Sequence, residues 1–332
     1  MTRRYALLGC PFDNGIRSML RYGRGVTGAA DGPEAVIDAV RTQYPELAEE
    51  LDVQLLDLQP FNLPLDHNLE NPSFTERQLA ATLEVHAAIE RAVNELIQNG
   101  RMPIGIGGDH SITYPLARGT MTTSTHDRWG LIYIDAHLDL RAWGTEDGED
   151  VLSSGNAFWR LLNDPDLPLS GSNVVALGVQ PSDTDVYRTL ARCAETYGMT
   201  VVDRSAISER NLDAIVSEAL YHAGHGTDAI YLSLDMDAFD ASVAPGVSAP
   251  NAGGLTETEG LDLMDGLAQD RRVRAMDVVE TSSRETAWSE IMENDPRDEP
   301  LDERADKLER TAHIAAEAIQ RFINAKTAPS SP

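Results

Sequence analysis

Eight short apolar runs punctuate this chain, and none alternates strictly between apolar and polar residues: Tyr5 to Gly9, Val53 to Leu58, Met102 to Gly107, Gly130 to Asp135, Val174 to Gly178, Thr200 to Asp203, Ala229 to Asp235 and Val273 to Val279. A strand that is apolar on both sides needs cover on both sides, as in a parallel sheet flanked by helices. Between the runs lie stretches with apolar residues at i, i+3 and i+4. The clear ones are Gly32 to Tyr44, Phe74 to Gln98, Thr184 to Tyr197, Asn211 to Ala223 and Thr256 to Gln269, with a terminal helix over Asp302 to Ala325. This alternation predicts an α/β fold: a three-layer αβα sandwich around a mainly parallel sheet of roughly eight strands.

No internal repeat or interdomain linker interrupts the pattern. It reads as one catalytic domain over 1–326, with a frayed tail at 327–332. Pro60 to Pro72 and Arg284 to Pro300 read as polar, proline-containing surface loops. Thr256-Glu257-Thr258-Glu259 offers an acidic helix start. Among 332 residues, 42% are hydrophobic, enough for a large core.

A formal charge of −27 argues against nucleic acid and anionic membrane surfaces as partners, since both need a basic footprint. It leaves an acidic substrate open, because one local arginine can override the global field at contact distance. Lys307 and Lys326 are the only lysines, a bias that either high-salt adaptation or a skewed genome would produce. Cys10 and Cys193 are too few for a disulfide framework or a cysteine-based zinc site. No stretch approaches a membrane span, and the first residues lead straight into a strand-like run, so the expected location is cytoplasmic.

The chemistry lies where three of the apolar runs end. Gly107-Gly108-Asp109-His110-Ser111, Asp135-Ala136-His137-Leu138-Asp139 and Ser233-Leu234-Asp235-Met236-Asp237-Ala238-Phe239-Asp240 each fall at the carboxyl end of an expected strand. That edge is where open α/β sheets bind ligands. In an extended segment, positions i, i+2 and i+4 point to one side, which aligns Asp135, His137 and Asp139, and likewise Asp235 and Asp237. An isolated strand-end Asp is more often a cap or a loop residue. Three clusters at one edge instead offer imidazoles and carboxylates suited to two divalent ions sharing a site, and hence to metal-activated water. Gly107-Gly108 is expected to let the backbone carry His110 close to those ions.

With these motifs the chain resembles the ureohydrolase superfamily of arginases, agmatinases and formimidoylglutamases, over nearly its whole length. Gly9-Cys10-Pro11-Phe12-Asp13 and Gly28-Ala29-Ala30-Asp31-Gly32-Pro33 match the family's opening strand and loop, and Asp277-Val278-Val279-Glu280 and Thr311-Ala312 its last strand and helix. The resemblance implies the arginase-like fold. It also implies a dinuclear manganese centre, two Mn²⁺ per subunit or other divalent ions, held by His110, Asp135, His137, Asp139, Asp235 and Asp237. Asp135 and Asp235 would bridge, Asp139 would move protons, and Glu280 would receive the substrate's cationic nitrogen. A homo-oligomer, a trimer or hexamer, is also implied. A catalytically silent paralogue is the contrasting class, and the presence of all six ligands weighs against it.

Three local features bear on the substrate. Asp139-Leu140-Arg141 resembles formimidoylglutamases, and Arg141 could grip a carboxylate bidentately. Ser153 to Phe158 corresponds to the segment that carries a proton-shuttling histidine in arginases and agmatinases, and Phe158 stands there instead. Ala244-Pro245-Gly246-Val247-Ser248-Ala249-Pro250 is also closer to formimidoylglutamases. The reading is a hydrolase of a linear amidine, N-formimidoyl-L-glutamate to glutamate and formamide, as in histidine degradation. Arg141, Ser154, Asn156, Phe158, Arg160 and Glu280 would contact the substrate. The alternative is a guanidino-compound hydrolase releasing urea. His67, His86, His126, His222, His225 and His313 lack ligand spacing and read as structural.

Overall fold

The computed structural model describes residues 4–19, 27–62, 72–126, 128–142, 153–167, 169–282 and 301–327, the side chains of 18, 19, 72–75, 301–305 and 307 excepted. The two expected surface loops fall largely outside these residues, Arg284 to Pro300 entirely.

All eight expected strands form: β1 (Tyr5–Cys10), β2 (Asp52–Leu55), β3 (Met102–Gly107), β4 (Trp129–Ile134), β5 (Leu169–Val179), β6 (Thr200–Asp203), β7 (Ala229–Asp235) and β8 (Val273–Val279). They make one sheet in the order β2-β1-β3-β8-β7-β4-β5-β6, every pairing parallel. Strand β2 stops at Leu55 instead of Leu58. It lies on the sheet edge, where pairing holds it from one side only, and a turn from Leu58 N–H to the Leu56 carbonyl carries the chain away.

The helices are α1 (Asn14–Met19), α2 (Gly32–Gln43), α3 (Pro45–Glu50), α4 (Pro72–Gln98), α5 (Thr113–Thr123), α6 (Ala157–Asn163), α7 (Asp185–Tyr197), α8 (Arg204–Glu209), α9 (Leu212–Gly224), α10 (Glu257–Gln269) and α11 (Leu301–Thr327). Helix α11 reaches Thr327, the first residue assigned to the frayed tail. At the start of α10 the expected signal is a full capping box, in which the Thr256 and Glu259 side chains each accept from the other's backbone N–H. Helix α5 escaped the sequence reading because Thr113-Tyr114-Pro115 and Gly119 have poor helix propensity. Tertiary contact favours it: a Cβ at Gly119 would lie 3.0 Å from Val93 Cγ1, so the glycine lets α5 lie close against α4.

Period-two burial sorts the side chains into two cores. Along β4, Ile132 and Ile134 join the layer of α2, α8, α9, α10 and α11, while Trp129, Leu131 and Tyr133 join that of α4, α5, α6 and α7. The last two strands, β7 and β8, insert between β3 and β4. The carboxyl ends of β3, β8, β7 and β4 thus stand side by side, bringing together residues far apart in sequence.

Candidate metal centre and substrate cavity

One local device recurs at these strand ends. Asp109 accepts a hydrogen bond from Ser111 N–H (3.0 Å), Asp135 from His137 N–H (2.6 Å) and Asp235 from Asp237 N–H (2.7 Å), in each case through Oδ1. An aspartate bonding the backbone two residues on turns the chain sharply as the strand ends. In Asp135 and Asp235 this leaves Oδ2 to face inward.

Those inward oxygens surround His110. Its Nδ1 lies 2.8 Å from Asp235 Oδ2, 3.2 Å from Asp135 Oδ2 and 3.3 Å from Asp139 Oδ2. His137 Nδ1 lies 3.1 Å from Asp237 Oδ2 and 3.5 Å from Asp135 Oδ1. One imidazole N–H cannot serve three carboxylates. Ligand atoms about 2.1 Å from one ion at octahedral angles do sit roughly 3 Å apart. Two ligand groups result, His110 with Asp135 and Asp139, and Asp135 with His137 and Asp237. Asp135 belongs to both, one oxygen toward each imidazole. Asp235 meets the first group through Oδ2, its other oxygen being held by Asp237 N–H.

The buried atoms fit a cation. His110 Nδ1, Asp135 Oδ2 and Asp237 Oδ1 have no hydrogen-bond partner among the described residues. Burial, then the neighbouring carboxylates, pushes Asp235 up; burial likewise raises Asp237, and His137 partly offsets it. Burial opposes charge on His110 and His137, yet the carboxylates around them hold both well above the ordinary histidine value. A surplus of buried carboxylate over positive charge is what two divalent ions would neutralise.

The far side of His110 is also fixed. Its Nε2 lies 3.2 Å from Ser233 Oγ, which donates to Asp277 Oδ1 at 2.6 Å, and Tyr231 OH donates to Asp277 Oδ2 at 2.8 Å. With Ser233 giving its proton to Asp277, the serine oxygen accepts from Nε2–H, leaving the Nδ1 lone pair toward the carboxylates. Sequence reading missed this role of Ser233 and Tyr231. The signal was there as polar residues at period two within the apolar β7 run, pointing into a core. Gly108 also has a packing purpose. A Cβ there would lie 2.1 Å from the Phe12 carbonyl oxygen, so the glycine makes room for the chain leaving β1.

Asp139 (φ 44°) and Glu280 (φ 66°) are the only non-glycine residues with positive φ among those described. Such backbone conformations cost energy and persist where the surroundings impose them. Glu280 is anchored twice: its N–H donates to the Gly108 carbonyl (2.9 Å) and its Oε1 accepts from His110 N–H (2.7 Å). Burial, and then the charge of Asp109, pushes its carboxyl well above the usual range.

Both residues open onto a cavity of about 340 Å³, as do His137, Asp235 and Asp237. Arg141 and Ser154 lie on its wall, facing Val186, Tyr187 and Leu190 of α7. The structure does not bring the other three expected substrate residues to that wall. Asn156 is 1% exposed and turns its Oδ1 back to Ser153 N–H. Phe158 is fully buried, stacked on Tyr133 with centroids 3.8 Å apart and edge-on to His110 at 5.0 Å. Arg160 lies over the Tyr114 ring at 4.5 Å. Helix α6 turns Phe158 into the core, Asn156 is held at its N-cap, and Arg160 is drawn over Tyr114 of α5.

Residues 3–323 match the arginase family. A formimidoylglutamase from Halalkalibacterium halodurans is 32% identical over 243 residues, which are 72% of this chain and 66% of that one. An N(1)-aminopropylagmatine ureohydrolase from Thermus thermophilus is 28% identical over 279 residues, 84% of this chain and 83% of that one. Among solved structures, the arginase of Bacillus caldovelox superposes with a TM-score of 0.73 at 23% identity, covering 99% of this chain and 100% of its own. The chain belongs to the arginase family, enzymes that hydrolyse C–N bonds in linear amidines.

Proposed function

We propose that this member of the arginase family is a manganese-dependent formimidoylglutamase, converting N-formimidoyl-L-glutamate and water to L-glutamate and formamide. The observation that carries the substrate choice is Arg141, the one arginine or lysine among the described residues on the cavity wall. A guanidinium there attracts a carboxylate-bearing substrate and repels the free ammonium of agmatine. The relatives' names differ in substrate, so the cavity wall has to decide between them.

His110, Asp135, Asp139 and Asp235 would hold one Mn²⁺, and Asp135, His137, Asp235 and Asp237 the other. When bound, the pair would lower the pKa of the attacking water toward neutrality. The chain's own residues do the rest. Glu280, with one oxygen pinned by His110 N–H, presents the other to the amidine N–H groups and holds their carbon toward the ligand clusters. The cationic amidine is the partner that makes the ionised form of this buried carboxyl stable. Asp139 accepts the proton from the attacking water and returns it to the departing amine of glutamate. Phe158 keeps the proton route off the α6 side, since an aromatic ring relays none. The apolar face of α7 limits the water near the reacting carbon. A cytoplasmic homo-oligomer, trimeric or hexameric, is the assembly that accompanies this reading.

Ser154 on the cavity wall supports one second reading, a guanidino acid as substrate with urea as product. Loading the protein with Mn²⁺ separates the two. Formamide release from formimidoylglutamate is expected, with little urea from arginine, agmatine or guanidinobutyrate. Urea without formamide would overturn the substrate assignment and leave the metal centre standing.

A further inference from the structure

The opposite edge of the sheet holds a larger cleft, about 1350 Å³, unrelated to the hydrolytic site. Its lining includes Arg4 ahead of β1, Arg101 ahead of β3, Arg271 and Arg274 at the start of β8, and Arg321 and Lys326 on α11. Asp265 is the one carboxylate on that lining among the described residues. The chain as a whole has 54 acidic residues to 27 lysines and arginines, so this reversal of sign is a local feature.

Some of these cations are accounted for. Arg321 pairs with Glu317 and Asp265, both at 2.7 Å, and Arg101 pairs with Asp52. Lys326 donates to the carbonyls of Ala268 and Asp270, closing the end of α10. Helices α4, α5, α10 and α11 all end at this edge, and their carbonyl termini favour positive charge. That suffices for Lys326. It does not account for Arg4, Arg271 and Arg274, which have no carboxylate partner among the described residues. The Nε of Arg274 is buried and finds no acceptor there. A buried guanidinium donor left without an acceptor is costly, and three guanidiniums without counter-charge repel one another.

We propose that this cleft binds a small, multiply charged anion bearing phosphate or carboxylate groups, gripped by Arg4, Arg271 and Arg274. Guanidinium forks match both groups bidentately. The volume admits more than a single phosphate, and the open side of the cleft admits the rest of such a molecule. A protein of net charge −27 repels anions at long range, so saturable binding here would be the work of a local site.

Calorimetric titration of the full-length, manganese-loaded protein with pyrophosphate and, separately, with citrate tests this. Saturable binding of either is expected, pyrophosphate marking a phosphate-bearing ligand and citrate a carboxylate-bearing one. The Arg274→Gln protein should bind about tenfold more weakly. Arg271→Gln, an exposed change that leaves the fold alone, should weaken binding in the same direction, and both variants should retain wild-type turnover. These anions also chelate manganese, and that contribution would be the same in wild type and variants. No saturable binding up to roughly 10 mM of either anion, a range that would already be weak for a specific site, would overturn the proposal. So would isotherms unchanged by both substitutions.

Discussion

The two edges of this sheet are built from the same strands and carry opposite chemistry. At the carboxyl edge, aspartates end the strands, turn the chain by accepting the N–H two residues on, and leave their second oxygens to converge on His110 and His137. At the amino edge, where the helices end, arginines and Lys326 gather around a cleft with a single lining carboxylate among the described residues. In a parallel α/β sandwich the helices run against the strands, so helix starts cluster at one edge and helix ends at the other. The dipoles favour anions at the first and cations at the second. The difference teaches that sheet polarity sorts charge, while strand order decides which charges meet.

Removing a carboxylate from the first edge should have the largest effect. Asp237→Ala is expected to lower turnover by about 10³-fold or more, with loss of bound manganese in elemental analysis. The metal-free variant should melt no lower than the metal-free wild type, because a repelling buried carboxylate has gone. Near-normal turnover in Asp237→Ala would erase the functional distinction between the edges. Arg141→Ala is expected to raise KM for the amidine about 10- to 100-fold while kcat changes much less. Steady-state kinetics alongside Arg271→Gln sharpens the contrast, since a cation of the amino edge should leave KM alone.

Phe158→His tests whether the frame beside the centre can be made catalytic. The ring is buried between Tyr133 and His110, so the expected outcome is a loss of about 1–3 kcal/mol of stability in denaturant titration, with no gain in urea release. Urea production appearing in this variant would show that α6 does face the substrate.

The smallest effect at neutral pH concerns the helical layer between the edges. His86 is 6% exposed, and burial, followed by the charges of Arg160 and Arg118, lowers its pKa to about 3. Unfolding lets it take up a proton anywhere between that value and the ordinary 6.5. Its contribution to stability is therefore complete above pH 6.5 and falls as pH drops toward 3, with a slope of up to about 1.4 kcal/mol per pH unit. Denaturant midpoints measured across this window should show the slope in wild type and lose it in His86→Leu. An unchanged slope would mean that other groups govern acid stability.

Legibility followed the range of the forces involved. Strands and long helices were readable because burial on two faces or one stripe imprints a period on the residues themselves. The helices that escaped, α5 and α6 among them, are short or rich in poor helix formers, and contacts with α4 and the α6 neighbours hold them. The cluster of carboxylates and imidazoles was readable because Asp135, His137 and Asp139 or Asp235 and Asp237 lie within one turn of chain. Asn156, Phe158 and Arg160 were misplaced for the opposite reason: their motif is local, but whether it faces the cavity depends on how α6 packs.

By itself, then, the sequence determined the sandwich, the family and which residue types end the central strands, since each follows from pattern within a few dozen residues. Only the tertiary structure decided that His110 is held from behind by Ser233 and Asp277, that Arg141 and not Arg160 reaches the cavity, and that Arg4, Arg271 and Arg274 share a cleft. The second follows from how α6 packs; the first and third are encounters between segments a hundred or more residues apart, set by the insertion of β7 and β8 between β3 and β4. Local patterning carries no record of strand order.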